Sequence, residues 1–332
     1  MNRRAVLSQL GLLAAGGAGV WLLRERLAWP VPEAAFRGGS ETTGWLPLPE
    51  PGGLVELPAV VGGRHIRVVL DSGAQYSAID TSLAGALALP LASPIPMLAF
   101  GVSGQPSLTR AVALDLDLGA VAFRGLRAAT LDLHPLSRLT RRPFSMLLGR
   151  DVLRAVVAEI DFPGGRVAFR RSETWAPGGQ WRAATVRRGP AHAIMAEVQV
   201  EDAPPLDVMV DTGATGALAL SEKAATTAGL LSGRKVQSGR SVTLGGVSQD
   251  RMVQASRVRF AGHAFDEVEV QVFAPAASGP IPDGLLGLGL LRRFRVALDH
   301  ARGRMFLDGP HAVTGRRPRR VRITPQPGAA QD

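Results

Sequence analysis

Short apolar runs separated by Gly- and Pro-rich turns dominate the chain and predict strands rather than long helices. The segment "FDEVEVQVFA" (265–274) alternates apolar and polar residues, which is typical of a strand with one buried face. The runs "GLVELPAVV" and "RHIRVVL" flank Gly62-Gly63, and "AHAIMAEVQV" and "LDVMV" flank "EDAPP". Each of these pairs predicts a β-hairpin. The pattern therefore indicates a mostly β fold.

Two short helices are expected to interrupt the strands. One is predicted over "DTSLAGALAL" (80–89), with Asp80 or Thr81 as its N-cap. The other is predicted over "SEKAATTAGL" (221–230), with Ser221 as its N-cap. Both follow a strand-like run that ends in an aspartate and a Gly-containing turn.

The chain contains the same unit twice. "VVLDSGAQYSAID" begins at residue 68 and "VMVDTGATGALAL" at residue 208, so that Asp71 and Asp211 are 140 residues apart. The segments "LLGRDVL" and "LLGLGLL" place Gly149 and Gly287 138 residues apart, and the hairpin-like segment after each glycine repeats as well. Nearly equal offsets over several motifs indicate a tandem duplication.

The duplication and the length of 332 residues predict two similar lobes related by a pseudo-two-fold axis. The Pro- and Gly-rich "ETWAPGGQW" (173–181) is the natural linker between them. The predicted division is a signal peptide or membrane anchor (1–30), an N-terminal lobe (50–173), a C-terminal lobe (180–310) and a basic tail (311–332).

The amino-acid composition excludes several classes of function. The chain has no cysteine, which excludes disulfides, thiol catalysis and Cys-ligated zinc. Its six histidines are scattered without metal-ligand spacing, so neither a metal nor a cofactor is expected. The net charge of +10 lies largely at the chain ends, for example in "GRRPRRVR" (315–322), and no aromatic platform accompanies it. We expect no nucleic-acid partner; a binder of nucleic acid or anionic surfaces through the Arg tail is an alternative that strong salt dependence would reveal.

The N-terminus predicts export. "MNRRAVLSQLGLLAAGGAGVWLLRERLAW" has a short basic start followed by a mostly apolar run from Ala5 to Leu23. That layout is typical of a secretory signal or a single membrane anchor, and "RRAVL" partly resembles a twin-arginine signal. We expect a periplasmic protein, or one anchored in the membrane and facing the periplasm; cleavage of the segment is left open.

The two acid turns carry the candidate chemistry. A pseudo-two-fold axis would bring Asp71 and Asp211 together at the lobe interface, where two close carboxylates share one proton. The ionised member can then take a proton from water while the protonated member polarises a carbonyl, which suffices for amide hydrolysis. Ser72 and Thr212 are expected to support the turns by hydrogen bonding. Gly73 and Gly213, which follow them, let the backbones approach closely.

These motifs resemble the retropepsin-like aspartic proteases, in the bacterial form with two aspartyl protease repeats in one chain. "LDSGA" and "VDTGA" are similar to that family's Asp-Thr/Ser-Gly-Ala signature, and "LLGRDVL" and "LLGLGLL" to its second signature. The resemblance implies two β-barrel-like lobes, an active site between them and proteolysis of protein or peptide substrates by a monomer that forms an intramolecular pseudo-dimer. A catalytically inactive homologue that binds peptides or an envelope partner in the interlobe cleft is the alternative.

Flaps that close over the substrate are a further expectation from the resemblance. Gly-rich tips occur at matching points of both repeats, in "FGVSGQ" (100–105) and "LGGVSQ" (244–249). An ordinary β-turn would explain either tip alone. The flap residues predicted from these two stretches are Gly101, Val102, Ser103, Gly104, Gly245, Gly246 and Val247.

Overall fold

The computed structural model describes residues 29–50, 53–92, 97–100, 106–138, 143–243, 246–273 and 282–311. It confirms the predicted fold class: the chain is mostly β, with two barrel-like lobes and a few short helices. Among the described residues, the strands form one sheet in each lobe, a third sheet shared by both repeats and a separate two-stranded ribbon.

The sheet of the N-terminal lobe has the order β1-β9-β5-β10-β4-β3-β8. Its strands are β1 (Glu33–Phe36), β3 (Glu56–Val61), β4 (Arg64–Leu70), β5 (Ala78–Asp80), β8 (Ala111–Asp117), β9 (Val121–Leu131) and β10 (Met146–Leu148). The separate ribbon pairs β6 (Met97–Phe100) with β7 (Pro106–Thr109). The predicted hairpin at Gly62-Gly63 is confirmed, because β3 and β4 pair antiparallel across it.

The sheet of the C-terminal lobe has the order β14-β15-β16-β21-β17-β20-β19-β18. Its strands are β14 (Val186–Arg188), β15 (Ile194–Val200), β16 (Leu206–Val210), β17 (Leu218–Ser221), β18 (Gln237–Thr243), β19 (Gly246–Phe260), β20 (His263–Phe273) and β21 (Gly284–Leu286). Strand β10 lies parallel to β4 in the first lobe, as β21 lies parallel to β16 in the second. The two repeats therefore share the same central strand pairing.

The third sheet joins the repeats. Its order is β13-β23-β22-β11-β12-β2. The strands are β2 (Leu46–Pro47), β11 (Val156–Asp161), β12 (Arg166–Arg171), β13 (Arg182–Ala183), β22 (Arg295–Asp299) and β23 (Arg304–Asp308). Antiparallel pairing of β11 with β22 connects the final hairpins of the two repeats through backbone hydrogen bonds. This sheet fixes the two acid turns relative to each other.

The remaining regular elements are short helices. The helices among the described residues are α1 (Thr81–Ala86), α2 (His134–Ser137), α3 (Arg150–Leu153), α4 (Glu222–Thr227) and α5 (Leu288–Leu291). The predicted caps of α1 and α4 are confirmed, because the side chains of Asp80 and Ser221 accept N–H groups of the first turn. In the described part of the chain, no helix has the length and apolar character to cross a bilayer.

Strands β1 and β2 lie before the predicted start of the N-terminal lobe at residue 50. Trp29 is also part of this lobe, since its side chain is buried against Ala111 and Ala129. Residues 1–28, on which the export prediction rests, lie outside the described residues, as does the tail from residue 312 onward. Those predictions, and the lobe boundaries themselves, stay predictions.

Candidate active site

Asp71 and Asp211 occupy equivalent positions at the ends of two strands. Asp71 follows β4 and Asp211 follows β16, and each backbone N–H extends the strand pairing by one bond. Asp71 N donates to Leu148 O (2.9 Å) and Asp211 N donates to Leu286 O (2.9 Å). The apolar strands thus deliver both acids, with the same backbone orientation, to the point where the lobes meet.

A tight turn holds each carboxylate. One oxygen of each acid accepts two backbone N–H groups from its own turn. The donors are Gly73 (2.9 Å) and Ala74 (3.0 Å) for Asp71, and Gly213 (2.8 Å) and Ala214 (3.2 Å) for Asp211. The second oxygen of each acid takes no part in these turns.

Ser72 and Thr212 lock the two turns together across the lobe interface. Ser72 N donates to Thr212 Oγ1, and Thr212 N donates to Ser72 Oγ, both at 3.0 Å. Ser72 Oγ donates to Val210 O (2.8 Å), and Thr212 Oγ1 donates to Leu70 O (2.7 Å). Both hydroxyl residues are fully buried, so these four bonds exclude water and fix the distance between the acids.

Gly73 and Gly213 make room for the opposite acid. A Cβ atom on Gly73 would lie 2.5 Å from Asp211 Cγ, and one on Gly213 would lie 2.6 Å from Asp71 Cγ. The two carboxyl groups consequently lie within hydrogen-bonding distance of each other. The sequence predicted close backbone approach at these glycines; the group that approaches each of them is the partner carboxylate.

Burial and mutual repulsion raise the affinity of the pair for a proton. Burial, together with the negative charge of Asp71, raises the pKa of Asp211 to about 8. Burial also raises the pKa of Asp71, although hydrogen bonds from Ala74, Asp211 and Gly73 and the charge of Arg150 oppose the rise. The pair therefore binds a proton more tightly than a free aspartate does, and its two ionisations belong to the pair as a whole.

Behind the first acid turn lies a polar network that the sequence analysis missed. Asp151 is buried and accepts hydrogen bonds from Trp29 Nε1 (3.0 Å), Ser77 N (3.0 Å) and Ser77 Oγ (2.8 Å). Ser77 Oγ in turn accepts the N–H of Gly149 (3.1 Å). A signal was present in the sequence: "LLGRDVL" places two charged residues where the second repeat has "LLGLGLL".

The predicted flap tips fall mostly outside the described residues. Gly101, Val102, Ser103, Gly104 and Gly245 are not described, whereas Gly246 and Val247 begin β19. On either side of the tips, β6 pairs with β7 and β18 pairs with β19, both antiparallel. Antiparallel strands therefore flank both predicted positions, and closure of the tips over a substrate stays a prediction.

One group of potential metal ligands occurs among the described residues, at Asp80, Asp132 and His134. Asp80 is occupied as the cap of α1 and also accepts the N–H of Leu133 (3.2 Å), and Asp132 accepts the N–H of His134 (3.1 Å). These hydrogen bonds explain why the three side chains lie close together: Asp80 caps a helix, and Asp132 and His134 belong to the turn beside it.

Comparison with known proteins finds one family model and similar solved structures. A family model described as aspartyl protease matches residues 57–152 and 196–290, one match in each repeat. A solved structure, a retropepsin-like aspartic protease from Rickettsia conorii, is 23% identical with a TM-score of 0.31, and the match covers 38% of this chain and 90% of that one. No curated protein matches the chain. Because the family model matches more than half of the chain, the protein belongs to the aspartyl protease family.

Proposed function

We propose that the protein is an aspartic endopeptidase that hydrolyses peptide bonds with a water molecule activated between Asp71 and Asp211. The observation that carries the proposal is the position of each carboxyl group against the glycine of the opposite turn. This arrangement holds two acids of raised pKa close enough to share one proton.

The chemistry needs both protonation states in the pair. The carboxylate removes a proton from water, and the resulting hydroxide attacks the scissile carbonyl carbon. The carboxylic acid donates a hydrogen bond to the carbonyl oxygen as negative charge develops there. Collapse of the tetrahedral intermediate transfers a proton to the leaving nitrogen and restores the singly protonated pair. The hydroxyl bonds of Ser72 and Thr212 keep the two acids at a fixed separation throughout these steps.

The test is hydrolysis of an unfolded protein by the full chain across pH 3 to 8, beside Asp71→Asn and Asp211→Asn variants. Each variant is expected to lose at least about 1000-fold in rate while keeping its fold, because neither carboxyl group performs both steps alone. Circular dichroism of the variants is the control for folding. Full activity in either variant would exclude the mechanism.

The same experiment separates the enzyme from its alternative. A wild-type chain that binds unfolded peptides but cleaves none of them at any pH would instead be an inactive homologue that uses the interlobe cleft for binding. Since one chain supplies both acids, the active species is expected to be a monomer, which light scattering after size exclusion measures.

We also propose that the protein is exported and acts in the periplasm, either free or tethered through its N-terminal segment. The support is the basic start and the apolar run from Ala5 to Leu23. A reporter fused after residue 35 should leave the cytoplasm, and a soluble cytoplasmic reporter would contradict the proposal. Replacement of Arg3 and Arg4 by Lys tests a twin-arginine route separately.

A further inference from the structure

A buried arginine lies directly behind the first acid turn. Arg150 begins α3 and has only 5% of its surface exposed. Its Nη1 donates to Ser72 O (3.0 Å) and to Gly73 O (2.8 Å), which are the two carbonyl groups that follow Asp71. Its Nε donates to Ala191 O (3.0 Å) in the second repeat. The guanidinium is therefore fixed on three sides against the turn.

Among the residues that the structure describes, the position behind the second acid turn that corresponds to Arg150 is apolar. The backbone N–H of Arg150 donates to Ala74 O (2.9 Å), and that of Leu288 donates to Ala214 O (2.8 Å), so the two residues are structurally equivalent. Leu288 is fully buried and carries no charge. At this pair of equivalent positions, the first acid turn has a positive charge behind it and the second has a leucine.

The contact with the second repeat uses an unfavourable backbone conformation. Ala191 and His192 have φ values of 49° and 59°, in the left-handed region that residues other than glycine seldom adopt. The carbonyl of Ala191 accepts the Arg150 bond, and the carbonyl of His192 lies 3.1 Å from His300 Nδ1. Strain of this kind persists only where neighbouring contacts impose it, and it occurs preferentially at functional sites.

We propose that Arg150 is a positioning residue that polarises the pair, so that Asp71 is the ionised base and Asp211 is the protonated acid of the reaction. The proposal rests on the proposed function of the pair. A fixed cation stabilises most the carboxylate with which it interacts most strongly. Arg150 is bonded to the turn of Asp71, and its charge interaction with Asp71 is larger than that with Asp211. The charge of Arg150 is among the causes that lower the pKa of Asp71.

The His300 imidazole does not supply a competing positive charge at neutral pH. Burial lowers the pKa of His300 to about 4, so its imidazole is neutral there. Burial also lowers the pKa of Arg150, but the opposite charges of Asp71 and Asp211 favour its charged form, and an arginine remains protonated in proteins. The groups that face Arg150 and the pair are Asp71, Asp211, Asp151, Tyr76, His192 and His300.

Carbon-13 NMR of the full chain labelled at the aspartate carboxyl carbons tests the proposal without relying on hydrolysis. Asp71→Asn and Asp211→Asn spectra assign the two signals. In the wild type, Asp71 is expected to ionise first. Arg150→Gln keeps hydrogen-bond donors but removes the charge, and should raise the lower pKa of the pair by about one unit. Arg150→Lys keeps a positive charge behind the turn and should raise that pKa less than Arg150→Gln does.

Activity provides the second readout. In Arg150→Gln the acid limb of the pH profile of kcat/KM should move to higher pH by about one unit, which is about tenfold in proton concentration. In Arg150→Lys the acid limb should lie closer to its wild-type position. A purely structural arginine would lower kcat at every pH without moving the limb, and that result would overturn the proposal. Asp211 ionising first in the wild type would overturn it as well.

The outcomes for the two proposals are distinguishable. A wild-type chain in which Asp71 ionises first, but which cleaves nothing, would contradict the proposed function and leave the role of Arg150 standing. Arg150→Leu, which copies the second repeat, is a second neutral variant. If neither neutral variant folds, the order in which the two acids ionise in the wild type decides. Ionisation of Asp211 before Asp71 would then overturn the assignment.

Discussion

The turn of Asp71 and the turn of Asp211 contribute the same groups where the two lobes meet, but different interactions support them from behind. In the first lobe, Asp151 forms a buried polar centre. It accepts the indole N–H of Trp29 and both the backbone N–H and the hydroxyl of Ser77. A segment that precedes β1 is thereby tied to the residues that follow the first acid turn.

In the second lobe, backbone packing takes the place of this carboxylate. The residue equivalent to Asp151 is Gly289, and a Cβ atom on it would lie 2.7 Å from Ala217 Cα. The N–H of Gly289 donates to Gly216 O (2.8 Å). The helix α5 therefore lies closer to its acid turn than any side chain would permit, and no polar group needs to be buried there.

The difference teaches which parts of the site the proposed reaction would constrain. The hydroxyl bonds and the glycines that face the acids are the same in both lobes, because both acids must reach the same point. The support behind them only has to hold each turn in place, and a hydrogen-bonded carboxylate or close backbone packing can do so. The hydrogen-bonded carboxylate tolerates substitution less well, since loss of one partner leaves other buried polar groups without a hydrogen bond.

The largest effect is expected at the two glycines that face the acids. Gly73→Ala and Gly213→Ala should each lower kcat by more than about 100-fold, because the added methyl group displaces the opposite carboxylate from its place in the pair. Steady-state kinetics on a peptide substrate measures the loss. Gly85→Ala, where a Cβ has open space, is the control. A glycine variant that keeps near wild-type kcat would contradict the inference that both glycines make room for the opposite carboxylate.

Gly289→Ala should cost stability rather than chemistry. The methyl group would contact the backbone of Ala217 at a distance that real Cβ atoms do not show, and overpacking of this kind costs about 1–3 kcal/mol of unfolding free energy. Denaturant unfolding measures it. Gly216→Ala, with nothing within 4 Å of its Cβ, is the matched control and should change stability by less than about 0.5 kcal/mol. Equal stability of the two variants would contradict the packing described for the second lobe.

Stability should also depend on pH through Asp211. Its pKa is raised to about 8 in the folded chain against an ordinary value of 3.8, so the folded state binds the proton more tightly. The unfolding free energy should therefore fall as pH rises from about 4 to about 8. Asp211→Asn should remove this contribution and be the more stable protein at pH 8. An unchanged pH slope in that variant would contradict the shared proton.

The two acid turns, with their aspartates and glycines, were largely predictable from the sequence, because local patterns encode them. The apolar run before each aspartate predicts a strand, the following glycine a turn, and the nearly equal spacing of the repeats a pseudo-two-fold pair. The caps of α1 and α4 were predictable for the same reason, since a cap bonds residues two or three positions away.

The support behind the site was not predictable, because it depends on contacts between distant residues. Trp29 and Asp151 are 122 positions apart, and Arg150 and Ala191 are 41 apart. No periodicity links such residues. The strands β1 and β2 were missed because each is short and is stabilised by a partner strand, β9 or β12, rather than by its own pattern.

The smallest expected effect tests the connection between the N-terminal segment and the first turn. Trp29→Phe keeps an aromatic ring against Tyr76, whose ring centre lies 4.3 Å away, but removes the N–H that Asp151 accepts. Loss of one hydrogen bond to a buried carboxylate should cost about 1–2 kcal/mol and lower Tm by a few degrees. Trp181→Phe, in a half-buried position next to the shared sheet, is the matched control for loss of an indole. Because the bond lies behind the first acid turn, kcat of Trp29→Phe should also fall a few-fold, whereas kcat of Trp181→Phe should not. Equal effects of the two variants on Tm and kcat would show that Trp29 only fills space and that the first turn does not depend on the polar centre at Asp151.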